Sequence, residues 1–289
     1  MVLLLSSVTF HALAQEDLLR QLESNAQREP DYTIATFKGT RLVNGHSIET
    51  KAGGDLEFIF AHRFGRVNGG IYDFFGLDDA YVRIGLDYGI SDRLSASVGR
   101  NSVDKTLDGY LKYKLFRQRR GAMSFPVTVT GLGGMAYKAS PKKDNVPEGF
   151  TRVDRISYVG QLLIARKFTS RLSLQIMPTF IHKNAVDRRK EANDQFSLGG
   201  GGRYKVTSSV AITGEYYHRF KVPEANPYFN TFGVGVDIET GGHVFQLVFT
   251  NTRGLTERAF ISETEGDLSE GDIHFGFNVT RTFQLKRKR

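Results

Sequence analysis

Residues 81–101 read YVRIGLDYGISDRLSASVGRN, two runs of alternation on either side of one tight turn. Val82, Ile84, Leu86, Tyr88 and Ile90 share one face of an extended chain, and Arg83 and Asp87 share the other. After Ser91-Asp92-Arg93 the rule resumes, with Leu94, Ala96 and Val98 opposite Ser95, Ser97 and Asn101. Successive side chains of a strand point to opposite faces, so a period of two marks a sheet between unlike surroundings.

The rule spreads outward in both directions. It covers 55–64, 107–116, the stretch from Phe125 to Thr130, 155–168, 172–183, 196–206, 210–218, 230–239, 243–251 and 272–283. With the two opening runs that makes twelve strands. Only 155–168 is blurred, having apolar residues on both faces with Gln161 as its one firmly polar position. Most runs are about 9 to 11 residues long, enough to cross a bilayer at barrel tilt. The connections 65–80, 138–154, 184–195, 219–229 and 252–271 are long, and those at 91–93, 169–171, 207–209 and 240–242 are short. Long loops on one side and short turns on the other are the mark of outer-membrane barrels. The 102–106 connection is shorter than its side predicts and 117–124 is longer. The expected fold is all-β, a closed antiparallel transmembrane β-barrel over 55–283, because hydrocarbon cannot satisfy an open sheet edge.

Composition agrees. Phe 22, Tyr 12 and Gly 31 against Pro 7 suit extended chain, and hydrophobic residues at 40% are too few for a bundle of membrane helices. There is no cysteine, which excludes disulfides and thiolate metal sites. The net charge of +8 comes from basic residues dispersed along the chain, outside any nucleic-acid module, so no nucleic-acid partner is expected. Residues 1–14, MVLLLSSVTFHALA, carry an apolar core and end in Ala12-Leu13-Ala14, the pattern of a signal-peptidase site, with no basic residue ahead of the core. The mature chain is therefore expected to begin at Gln15, in a bacterial outer membrane. Residues 15–54 form a periplasmic leader or a plug, strand-like at 33–43 with an Asn44-Gly45 turn, and 284–289 form a basic tail.

Separate blocks along the chain resemble one family. They include Ala35-Thr36-Phe37-Lys38, Asn44-Gly45-His46-Ser47, His62-Arg63-Phe64-Gly65, Phe75-Gly76-Leu77-Asp78, 161–168 (QLLIARKF) and 237–247 (DIETGGHVFQL). Together they resemble the bacterial β-barrels grouped as domain of unknown function 5777. The resemblance spans about 33–283 and implies an outer-membrane barrel of the Bacteroidota type. It brings no catalytic residues.

Chemistry-bearing motifs are few. The run Gly199–Gly202 lacks the Lys-Ser/Thr that closes a phosphate loop, and reads as strand glycine. Seven histidines are scattered without metal-ligand spacing, and Glu263, Glu265, Asp267, Glu270 and Asp272 read as a solvated acidic loop. No nucleophile elbow occurs, so neither an enzyme nor a cofactor is expected, and a membrane-embedded lipid hydrolase stands last among the readings. Strand parity places Glu57, Arg63, Arg83, Asp87, Asp108, Lys112, Lys114, Arg203, Lys205, Glu215, Asp237 and Glu239 in the lumen. These charges either line a narrow or gated pore for small solutes or pair across the lumen and seal it, as in a closed structural or partner-docking barrel. Expected partners are outer-membrane lipid, lipopolysaccharide at the basic rims and the barrel-assembly machinery.

Overall fold

The computed structural model describes residues 30–121, 123–139 and 150–285. The signal at 1–14, residues 15–29 of the leader, Lys142, Lys143 and the tail from Lys286 lie outside the described residues. In chain order the strands are β1 (Pro30–Tyr32), β2 (Asp55–Arg66), β3 (Ala80–Gly89), β4 (Leu94–Asn101), β5 (Thr106–Phe116), β6 (Arg119–Gly121) and β7 (Thr128–Lys138). They continue with β8 (Ile156–Lys167), β9 (Leu172–Lys183), β10 (Asp194–Lys205), β11 (Val210–Phe220), β12 (Thr231–Thr240), β13 (His243–Thr250) and β14 (His274–Gln284). One short helix, α1 (Glu257–Ser262), lies in the last long loop.

All but β1 and β6 join one closed antiparallel barrel of twelve strands, each beside its neighbours in sequence. The seam joins first to last, from Gly276 opposite Arg63 to Gln284 opposite Asp55. Aromatic rings reinforce its outer side: His62 stacks on Phe277 at 5.1 Å and Phe64 on Phe275 at 5.7 Å. The 102–106 connection is short because a single 3-10 turn, Val103–Lys105, closes it. The 117–124 connection is long because it carries β6, which pairs with β1.

The alternation becomes a difference in burial. Leu86 and Val98 are 40% and 63% exposed on the outer face, while their neighbours Asp87 and Ser97 are 1% and 5% exposed inside. An outward apolar band facing hydrocarbon and a polar interior are what the sequence pattern demands. The lumen, however, is packed. Phe37, Leu42 and Ile48, from ahead of the barrel, form an apolar cluster with Leu163, Ala165, Met177, Ile181 and Tyr217 of the wall and with Phe260 and Ile261 of α1. This explains the blurred strand: Leu163 and Ala165 of β8 face an apolar filling, so its inner face need not be polar.

Candidate functional site

The filling is a hairpin. Its entry is pinned at the short-turn mouth, where β1 lies against β6, Thr33 N donates to Gln118 O at 2.9 Å and Lys167 Nζ to Ile34 O at 3.0 Å. The chain is irregular from Thr33 to Gly39, so the strand expected at 33–43 does not form. Its backbone groups are met by wall side chains instead of a ladder. Ser47 N donates to Thr40 O and Leu42 N to Gly45 O at 2.8 Å, which puts Val43 and Asn44 at the tip. Gly45 is needed for close approach: a Cβ there would run into the Tyr217 hydroxyl. The chain returns to the same mouth, where Gly53 N donates to Asp92 Oδ1 at 2.9 Å. Gly54 then turns it into β2 with a φ of 87°, a left-handed conformation that favours glycine.

Parity placed twelve charged residues in the lumen, and the structure puts all of them on that face. Many hold the hairpin. Glu215 accepts from the backbone N–H groups of Val43, Asn44 and Gly45, at 2.7 Å for Asn44. Lys112 Nζ donates to the carbonyls of Thr40, Ser47 and Glu49 at 3.0, 3.2 and 3.2 Å. Glu57 and Asp87 both accept from Thr40 Oγ1, at 3.0 and 3.2 Å. Arg63 Nη2 donates to Asn44 Oδ1 at 2.9 Å, and Lys114 pairs with Glu49 at 3.2 Å. Asp237 reaches the hairpin through Gln246, whose amide also bonds Leu42 O.

The others pair mainly along the wall. Arg83 pairs with Asp108, and Arg203 with Glu239 and, at 3.8 Å, Asp237. Glu239 also meets Lys38 of the hairpin approach at 3.2 Å. Lys205 stands half-buried at the short-turn mouth, its backbone N–H bonded to Arg171 O.

A second stopper comes from the opposite mouth. The β13–β14 loop folds inward and its α1 meets the hairpin tip. Glu257 Oε1 lies 3.1 Å from Arg41 Nη1 and 2.8 Å from His46 Nε2. His46 is fully buried, edge-on to Tyr110 at 4.4 Å. Burial, with Arg41 and Lys112 beside it, pushes its imidazole down to about 3. Burial works against the Glu257 carboxylate, but Arg41 and His46 hold it well below the usual range. The outer end of the loop is anchored by Glu263, which meets Lys183 at 2.8 Å, Arg258, and Lys138 at 3.8 Å. Among the described residues no group of side chains could hold a metal ion.

Sequence reasoning missed two sets of residues. Gln175, Thr130, Gln246 and Asn278 bond hairpin backbone groups, and as neutral polar residues on inner faces they carried no distinguishing signal. Arg41, His46 and Glu257 lie outside the barrel strands, where parity says nothing. The glycine run now has a reason as well. Gly199 lies under Tyr217 of the wall and Gly201 under Leu42 of the hairpin, so a side chain at the first would displace the tyrosine that packs on the tip and one at the second the filling itself.

A family model described as a membrane-bound β-barrel domain, DUF5777, matches residues 37–283. No curated protein matches the sequence. Among solved structures, the NanC porin aligns at 10% identity and a TM-score of 0.48, covering 80% of this chain and all (100%) of its own. The KdgM porin aligns at 10% and 0.47, covering 79% of this chain and 99% of its own. The COG4313 outer membrane channel from Pseudomonas putida F1 aligns at 11% and 0.47, covering 86% and 100%.

Proposed function

The chain belongs to the DUF5777 family of membrane-bound β-barrels, and from the way its lumen is stoppered we propose that it is a bacterial outer-membrane channel for small solutes, held shut by its own amino-terminal hairpin. The observation that carries this reading is where the wall charges find their partners. Lys112 and Glu215 spend themselves on hairpin backbone groups and not on each other. When the hairpin leaves, a wall of that kind exchanges protein partners for water and becomes a hydrated polar channel. Topology permits the departure, since both ends of the hairpin sit at one mouth and it withdraws without threading.

A closed structural barrel is the second reading. It is favoured by the apolar cluster shared by hairpin, α1 and wall, which opening would expose to water. Planar-bilayer recording separates the two. The full-length protein is expected to show small, rare conductance steps, and deletion of residues 16–54 is expected to give larger and longer ones. Silence from both forms establishes the sealed barrel, and release of fatty acid from phospholipid by either form would point to an enzyme.

A further inference from the structure

One part of the lumen holds more hydrogen-bond donors than acceptors. A residual cavity of about 40 Å³ separates the hairpin tip from the wall, and Arg41, Arg63 and Arg83 line it together with Asn44, Asn278 and Asp237. Arg63 and Arg83 are 0% and 1% exposed. Arg63 donates to the side-chain oxygens of Asn278 and Asn44, both at 2.9 Å, meets no carboxylate within ion-pair distance among the described residues, and has no acceptor for Nε. Arg83 is paired with Asp108 through Nε and Nη2, which leaves Nη1 without an acceptor. Arg41 turns Nη1 to Glu257 and Asn44 O, leaving Nε and Nη2 unmet.

The carboxylates nearby are already engaged. Glu215 is held by the hairpin N–H groups, and Asp87 accepts from Ser97 and Tyr110. Asp237, the one acid lining the cavity, accepts through Oδ1 from Gln246 at 2.6 Å and Thr213 at 3.4 Å, and its Oδ2 lies 3.8 Å from Arg203 Nε. Arg41 nevertheless lies within coulombic reach of both Arg63 and Arg83. The wall is shaped to admit these side chains. A Cβ on Gly276 would lie 2.7 Å from Arg63 Cδ, and one on Gly85 would lie 2.6 Å from Arg83 Nη1, so both arginines rest on glycine floors.

We infer that this cavity is a binding site for one small monovalent anion of chloride size. A buried guanidinium N–H without an acceptor is unfavourable, because the hydrogen bond it made to water is lost and not replaced. Water would bring acceptor lone pairs together with O–H groups that need acceptors of their own, and here those are scarce. An anion only accepts. A cavity of about 40 Å³ takes such an ion or a few waters and excludes a sugar acid or a phosphate ester. Arg41 travels with the hairpin, whereas Arg63 and Arg83 stay with the wall, so the ion binds like charges across the surface that must part. This deepens the closed-channel reading, on which only its consequence for gating rests.

The test uses the full-length protein in detergent. Crystals grown in bromide are expected to give an anomalous peak within hydrogen-bond reach of Arg63 and Arg83. Replacing chloride by gluconate at equal ionic strength is expected to lower the temperature at which the barrel loses its heat-modifiable migration on gels. In Arg63→Gln that dependence on the anion is expected to vanish. Lumenal density that scatters only as water, or a transition that is the same in chloride and gluconate for the natural sequence, overturns the proposal. A halide dependence that survives in Arg63→Gln overturns it too. Conductance is not read, so failure of the channel reading and failure of the anion site are told apart.

Discussion

His46 is where the stopper meets the conditions of the solution. Docked, its imidazole sits at about 3, against the ordinary 6.5 that it regains once the hairpin is in water. Above 6.5 neither state binds the proton, and this residue leaves docking untouched. As pH falls from 6.5 toward 3 only the withdrawn form takes up the proton, and docking weakens by up to about 1.4 kcal/mol per unit. Glu257 works in the same direction at lower pH. Its depressed carboxyl favours the docked state while ionised, and that support fades as pH falls below 4.5. The charged groups facing the imidazole are Arg41, Lys112 and Glu257. Acid is therefore expected to open the stopper. The chain has no cysteine, so a single thiol in Ser47→Cys, at a site 0% exposed, reports the opening by its labelling rate. Divided at each pH by the rate of the same thiol in the unfolded protein, which removes the fall in thiolate, labelling is expected to accelerate between pH 6.5 and 5, and His46→Asn to remove that upper part of the profile. A normalised rate that is flat with pH would put the opening elsewhere. Gly45→Val is expected to label quickly at every pH, because its side chain displaces Tyr217 from the tip.

At the scale of elements the period of two was enough to find every barrel strand. β4 and β9 run over the same residues in sequence and structure, most others differ at their ends, and β7 runs from Thr128 on to Lys138, well past the stretch Phe125 to Thr130, because Gly131, Gly133 and Gly134 interrupt the alternation there. A plug was one of two readings of 15–54, and the barrel pattern could not choose it, since Leu163, Met177 and Tyr217 point inward toward partners far away in the chain. α1 was equally hidden: six residues amid acidic loop sequence carry little helical periodicity, and packing on β8 and β11 holds them. The filled lumen also alters what substitutions do. Leu86→Arg, on the outer face, is expected to cost about 2–4 kcal/mol of stability in lipid whether or not the hairpin is present. Gly235 faces the lumen, where a Cβ would already lie 2.9 Å from Thr213 Oγ1 and 3.1 Å from Gln246, so tolerance of arginine by parity alone is not expected here. Gly235→Arg is expected to damage the full-length barrel and to be milder after deletion of residues 16–54. Urea titration in lipid vesicles measures both. If deletion brings no relief at Gly235, the crowding comes from the wall itself.

At the scale of the molecule, basic residues mark the rims. Arg188, Arg189 and Lys190 lie exposed in the β9–β10 loop, where Lys190 stands 4.0 Å from Asp187. We propose that they seat the barrel against lipopolysaccharide phosphates, at about 1 kcal/mol per charge at low ionic strength. Neutralising the three is expected to reduce lipopolysaccharide retained through detergent purification and to leave heat-stability unchanged. Unchanged retention with loss of soluble-anion binding would make the loop a funnel for solutes instead.

The hairpin is also tethered to the mouth it closes: Ile48 is the last residue buried in its apolar cluster, and β2 begins at Asp55. A withdrawn hairpin thus remains a local ligand at an effective concentration on the order of millimolar. Reclosure is unimolecular and fast, so openings stay brief unless a partner captures the freed segment. A synthetic peptide of residues 33–50 offered to the truncated barrel would need about millimolar concentration to silence it as the tethered copy does.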